Sequence, residues 1–156
     1  MPKLTSEQIH ELRELVAKHN RERIASLLEE KAQSAIHIVT TKPDDYSVLG
    51  RSRLGGVPDL PPEFEWPKID ERYLTFVAQI NLSELPKLDD SPLPSAGILY
   101  FFYGRDEPEM IHYHRILYYV GNDDVLVKAQ QPDVHHFIDE ETYAFFEPYL
   151  LEMKKV

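Results

Sequence analysis

Ser52-Arg53-Leu54-Gly55-Gly56-Val57-Pro58-Asp59-Leu60-Pro61, then Trp66-Pro67, then Leu74-Thr75-Phe76-Val77-Ala78-Gln79-Ile80-Asn81-Leu82-Ser83-Glu84-Leu85-Pro86, then Gly97-Ile98-Leu99-Tyr100-Phe101-Phe102: these four pieces, in this order, decide the fold. Two adjacent glycines permit positive φ and close backbone approach. Prolines 58, 61 and 62 stiffen the chain directly afterwards and push their predecessors into extended conformations. Residues 54–67 are therefore expected to form an ordered, non-helical loop, pinned to a sheet by Trp66, the only tryptophan. In residues 74–80, Leu74, Phe76, Ala78 and Ile80 alternate with Thr75, Val77 and Gln79, the period of a strand. Gln79 is the odd residue there, because a buried amide needs partners. Either it holds the proline-rich loop through backbone bonds or it touches a ligand. The loop likewise is either architecture alone or the lining of a binding crevice with Arg53 at its mouth. Arg53, Gly55, Gly56, Trp66 and Gln79 are the candidate ligand-binding residues.

The order of these motifs resembles the YwqG-like family, known as domain of unknown function 1963. The resemblance covers about residues 50–130 and implies a fold rather than an activity. Longer members of that family continue into a second region rich in Gly, Gln and acidic residues, which this sequence does not show. The expectation is that whatever that region contributes is absent here or supplied by another chain.

Outward from this block, the first third reads as helix. Thr5 and Gln8 form a capping box, and Ile9, Leu12, Leu15 and Val16 make an apolar stripe. Glu14 and Lys18 are spaced to pair at i, i+4. His19-Asn20 interrupts, and Ile24, Leu27 and Leu28 begin a second helical piece, so that residues 5–33 are a helical segment. Strands are expected at 35–40, 74–80, 97–103, 110–120 and 125–128. Gly104–Pro108 should turn the chain between the third and fourth, and Gly121-Asn122-Asp123-Asp124 should make a hairpin between the last two. From Asp139 to Pro148, with Tyr143, Phe145 and Phe146, the pattern looks helical. The predicted class is α+β in one domain over residues 1–156: N-terminal helices, a mainly antiparallel sheet with long Pro/Gly-rich loops, and a C-terminal helix.

Composition narrows the function classes. The chain has 156 residues, 42% hydrophobic and 11% aromatic, which is globular. Net charge is −10: residues 1–55 carry nine Lys/Arg against eight Asp/Glu, and the rest carry eight against nineteen. So acidic a surface repels phosphate backbones and anionic membranes, which disfavours nucleic acid and membrane as partners and permits a basic protein partner. No cysteine is present, which excludes disulfides, thiolate nucleophiles and Cys-ligated zinc. The N-terminus lacks a signal-peptide pattern, so the expected location is the cytoplasm.

The catalytic grammar is sparse. Glycines 55 and 56 lead into prolines rather than Gly-Lys-Ser/Thr, so no phosphate loop forms. No Ser sits in G-x-S-x-G. Asp89-Asp90 and Asp123-Asp124 fall in expected turns, where neither carboxylate is desolvated enough for acid–base work. His112 and His114 would share one face of a strand about 6.6–6.8 Å apart. With His135, His136 and Glu109 or Asp106 they are the one candidate metal set, although a surface pair is the plainer reading. Tyr113, Arg115 and Tyr119 would pack on the opposite face. The favoured expectation is a non-catalytic intracellular binding or protein-interaction module, regulatory or immunity-like, with no cofactor. The alternatives are a metal-dependent enzyme using His112 and His114, and a self-associating scaffold. A homodimer is expected because the stripes Ile9, Leu12, Val16, Ile24 and Leu27 and the aromatic tail Tyr143, Phe145, Phe146 and Tyr149 exceed what a short sheet needs to cover itself.

Overall fold

The computed structural model describes residues 4–33, 35–87, 91–106, 111–132 and 147–156. Helix α1 (Ser6–Lys18) starts on the anticipated capping box, with Gln8 N donating to Thr5 Oγ1 (3.2 Å) and Thr5 N to Gln8 Oε1 (3.0 Å). It stops where Asn20 takes a left-handed φ of +53°, a conformation asparagine tolerates better than most residues. Helix α2 (Ala25–Lys31) follows, tied to α1 by a bidentate Arg13–Glu29 pair at 2.8 and 2.9 Å. Glu14 meets His10 at 3.5 Å.

The strands are β1 (Ile36–Pro43), β2 (Arg53–Leu54), β3 (Asp59–Leu60), β4 (Lys68–Ile69), β5 (Arg72–Tyr73), β6 (Thr75–Asn81), β7 (Ile98–Asp106), β8 (Ile111–Tyr119), β9 (Val127–Lys128) and β10 (Tyr149–Lys155). A six-stranded sheet runs β1-β10-β2-β6-β7-β8, with β3–β9 and β4–β5 as separate two-stranded ribbons. The registered pairs are all antiparallel. The chain divides into two compact units. One draws on residues within 1–37, 86–92 and 154–156, the other on 38–85 and 93–153. In the first, Ala35 and Val156 exchange backbone bonds of 3.0 and 2.9 Å.

Three expectations need correction. The α+β class with a C-terminal helix gives way to a mostly antiparallel sheet whose α-helices, α1 and α2, are both short and N-terminal. The chain closes on a strand, β10, which slots between β1 and β2 with Leu150 and Leu151 both buried and Glu152 exposed. The helix expected over Asp139–Pro148, with Tyr143, Phe145 and Phe146, falls mostly on residues outside the described ones. Second, Gly121–Asp124 does not join two paired strands: β8 pairs with β7, while β9 pairs with β3 of the proline-rich loop. Asn122 Oδ1 instead caps a single 3₁₀ turn at Asp123–Val125. Gly104 and Arg105 lie within β7 rather than in a turn.

The third correction concerns β6. The register shifts between Phe76 and Ala78, so strict alternation breaks at Val77. Phe76 pairs with Phe102 and Gln79 with Tyr100, which puts Phe76 and Gln79 on one face. Ala78 and Ile80 turn to the other, opposite Phe101 and Leu99. The first face holds the main core of Leu60, Leu74, Phe76, Ile98, Tyr100, Phe102, Tyr119 and Leu126. The other carries a smaller cluster of Ile80, Leu82 and Leu151.

Candidate functional site

The loop after β2 is built around one buried cation. Arg53 is fully buried, and its Nε donates to Asp44 Oδ2. Its Nη1 reaches Asp59 Oδ2 at 3.0 Å and Val57 O at 3.2 Å. The guanidinium lies 3.9 Å from the centroid of the Tyr46 ring, and Lys128 Nζ lies 3.8 Å from the same centroid. Asp59 Oδ2 also accepts from Gly50 N (2.8 Å) and Gln79 Nε2 (2.9 Å), while Asp59 N donates to Gln79 Oε1 at 2.8 Å. Gln79 Nε2 further donates to Arg51 O at 2.7 Å. Of the two roles open to Gln79, the geometry is that of loop anchoring: each bond it makes here is to Arg51 or Asp59. Tyr100 Oη adds a 2.7 Å bond to Asp59 O. Burial, helped by the nearby Asp59 charge, pushes the Tyr100 phenol well above its ordinary pKa, and burial likewise raises Tyr46.

Both glycines are needed where the sequence puts them, with φ of +74° at Gly55 and +68° at Gly56. At Gly56 a Cβ would collide with Tyr46 Oη and come within 2.8 Å of Pro148 Cβ. That space lets Tyr46 Oη accept the Val57 N–H at 2.8 Å and close the turn. Tyr46 itself has φ +60°, held by Asp44 Oδ1 accepting its N–H at 2.9 Å. Within the network, Arg53 Nη2 and Asp59 Oδ1 have no hydrogen-bond partner among the described residues. Arg53 therefore lies beneath the loop and not at its mouth, and the Arg53–Asp44–Asp59–Gln79 cluster is closed to solvent.

Trp66 sits elsewhere. It packs edge-on against Phe102 (5.7 Å between centroids) and donates Nε1–H to Leu74 O at 2.7 Å, which pins the end of the loop. Its exposed part lines an open groove of about 810 Å³ together with Lys68, Tyr73, Arg115, Gln130 and Gln131. The five candidate binding residues thus separate. Arg53, Gly55, Gly56 and Gln79 shape and hold the loop, and Trp66 alone of them reaches the groove. Asp44, Tyr46 and Asp59, which complete the buried cluster, and Arg115, Lys68 and Gln130 in the groove went unremarked as site residues. Asp59 had one visible signal, a carboxylate set between prolines in an apolar run.

His112 and His114 share a face of β8, as expected, opposite Arg105 and Tyr103. His112 Nδ1 lies 2.7 Å from Tyr103 Oη. No three His, Cys, Asp or Glu side chains cluster at metal-binding distance among the described residues, and Glu109, His135 and His136 lie outside them. Among the described residues no helix is long and apolar enough to cross a membrane.

No curated protein matches the chain. The family described as Domain of unknown function (DUF1963) matches residues 52–148, from the strand that carries Arg53 to the proline that abuts Gly56. The chain belongs to this DUF1963 family.

Proposed function

We propose that this protein is a non-catalytic, intracellular binding module that engages a protein partner through the Trp66 groove. The observation that carries the reading is the division of labour between two sets of polar side chains. The charged groups that could be poised for chemistry, Arg53, Asp44 and Asp59, are sealed beneath the loop and spend their bonds on it. The polar and aromatic groups around Trp66 in the groove are recognition groups: an indole, a phenol, two side-chain amides, Lys68, Arg115 and the single carboxylate of Glu65. Aromatic and arginine side chains are the types that dominate protein interfaces.

Capture from extracts of the native cell tests this, comparing the wild-type chain with Lys68→Glu/Arg115→Glu. A stoichiometric protein retained by the first and lost by the second supports the reading. Identical partner sets for both refute it. One tightly bound transition metal per chain, in protein purified without a nickel column and lost on His112→Ala, would overturn it in favour of catalysis.

A further inference from the structure

We propose that Lys128 is a charge latch: an exposed ammonium that completes the charge balance of the sealed Arg53 cluster across the Tyr46 ring, and so holds β9 and the Gly56–Val57 turn in place. The latch goes beyond the binding-module reading and does not require it. The cluster itself is short of one positive charge. Asp44 and Asp59 set two carboxylates against the single guanidinium of Arg53, and none of the three side chains is more than 3% exposed. A buried charge left unbalanced is costly, so a second cation within reach is favoured. Arg51 is engaged by Glu84 at 3.5 Å, and Lys42 acts on the exposed Asp45.

Lys128 is aimed at the cluster, on two independent observations. The β3–β9 register sets it directly opposite Asp59, and opposite residues of an antiparallel pair project from the same face. Its Nζ ends 3.8 Å from the centroid of the Tyr46 ring, and the Arg53 guanidinium lies 3.9 Å from that same centroid. Two cations against one ring repel each other unless anions offset them, which Asp44 and Asp59 do from beneath. β9 needs such a hold, because a two-residue ribbon is weak by itself and Val127 is 53% exposed. On either side of it, Leu126 enters the core and Ala129 N donates to Pro58 O at 2.9 Å. Tyr46 takes Lys128 on its ring while its Oη accepts the Val57 N–H, at a backbone φ of +60° that persists only where its surroundings over-determine it. Loss of the Lys128 charge therefore loosens the turn at Val57 and the Pro58–Ala129 bond together. Gln130 and Gln131 of the groove follow directly, so the latch ties the sealed cluster to the groove wall.

The experiment is NMR on the isotopically labelled full chain, as wild type, Lys128→Arg and Lys128→Met. Methionine keeps an unbranched apolar stem and drops the charge; arginine keeps the charge. Lys128 is exposed, so both variants should fold. The first readout is the stack itself: ring current from Tyr46 should shift the Lys128 Hε protons upfield. The second is amide exchange at Val57 and Ala129, with Tyr100 and Phe102 of β7 as core references. Exchange at Val57 and Ala129 should be roughly two- to fivefold faster in Lys128→Met, the factor that a partly exposed cation–ring contact supplies. Lys128→Arg should match the wild type, and the Tyr100 and Phe102 amides should not change in either variant. The backbone peaks of Gln130 and Gln131 should move in Lys128→Met and stay in Lys128→Arg.

Unshifted Lys128 Hε protons in the wild type overturn the proposal, and so does identical exchange in all three proteins. Equal acceleration in the arginine and methionine variants also overturns it, because the fit of lysine and not its charge would then hold the strand. Acceleration spread evenly to Tyr100 and Phe102 would reduce Lys128 to general stability and sink the latch as well. No partner enters any of these measurements, so failure of the latch leaves the module reading standing.

Discussion

Gly56→Ala should separate backbone strain from loss of the Tyr46 turn, and the structure sets the size of each. At φ +68° an alanine costs about 1–2 kcal/mol for the left-handed backbone alone. Its Cβ also displaces Tyr46 Oη, which leaves the partly buried Val57 N–H without its 2.8 Å acceptor, a further cost of about 1–3 kcal/mol. The total, about 2–5 kcal/mol, is a large fraction of the 5–15 kcal/mol typical of a folded domain. Removing the phenol oxygen first changes the arithmetic. In a Tyr46→Phe background the hydrogen bond is already gone and the Oη collision with it, so Gly56→Ala should cost little beyond its strain and the yielding of Pro148. Urea denaturation of the four proteins of this cycle gives the coupling directly. A coupling of about 1–3 kcal/mol is expected. Equal costs of Gly56→Ala in both backgrounds, or a cost below about 1 kcal/mol in the wild type, would refute the account of why glycine stands here.

Arg53→Met strands Asp44 and Asp59 in a dry site, so it should destabilise by about 3–5 kcal/mol in the same assay, more than Arg51→Met on the half-exposed neighbour. The paired guanidinium of Arg72 lowers the Asp106 pKa below its ordinary 3.8 through bonds of 2.8 Å, so that bridge stabilises above the ordinary value and is lost as pH falls through the depressed one. The stability gap between wild type and Asp106→Asn should therefore be present at neutral pH and close in acid titration below about pH 4. Burial raises Tyr100 above its ordinary 10, so its neutral form stabilises below pH 10 and the contribution disappears as pH rises beyond it; Tyr100→Phe should flatten that alkaline limb of the stability curve.

The fold was legible where pattern and pairing agree. β7 alternates without interruption from Ile98 to Gly104, and its buried residues fall at every second position. The capping box at Thr5 and the break at Asn20 were readable because each depends on neighbours within four residues. β6 was legible as a strand but not in its facing, since a register shift at Val77 leaves no mark on the hydrophobic pattern. The C-terminal strand was missed for a different reason: Leu150 and Leu151 are both buried, so the segment opens without clean alternation, and its partner β2 lies far back in the sequence. The candidate site divided in the same way. Gly55, Gly56 and Gln79 stood out because their residue types are costly in an apolar strand and its loop. Asp59, which satisfies Gln79, and Asp44, which pairs with Arg53, come from other stretches of the chain, and only Asp59 carries a local mark, a carboxylate among prolines in an apolar run; the groove unites residues 65–73 with 115–117 and 130–132.

The place of β10 between β1 and β2 also sets an order of events in biosynthesis. Leu150 pairs with Arg53, 97 residues earlier (150 − 53), so at about 5–20 residues per second a nascent chain holds β1 and β2 without their common neighbour for roughly 5–20 s. During that interval the β2–β6–β7–β8 part can assemble by nearest-in-sequence pairing, but β1 has no strand to join. Closure of the sheet is therefore a late, high-contact-order step. Substitutions in β10 should act on the yield of newly made protein more strongly than their effect on equilibrium stability alone would suggest.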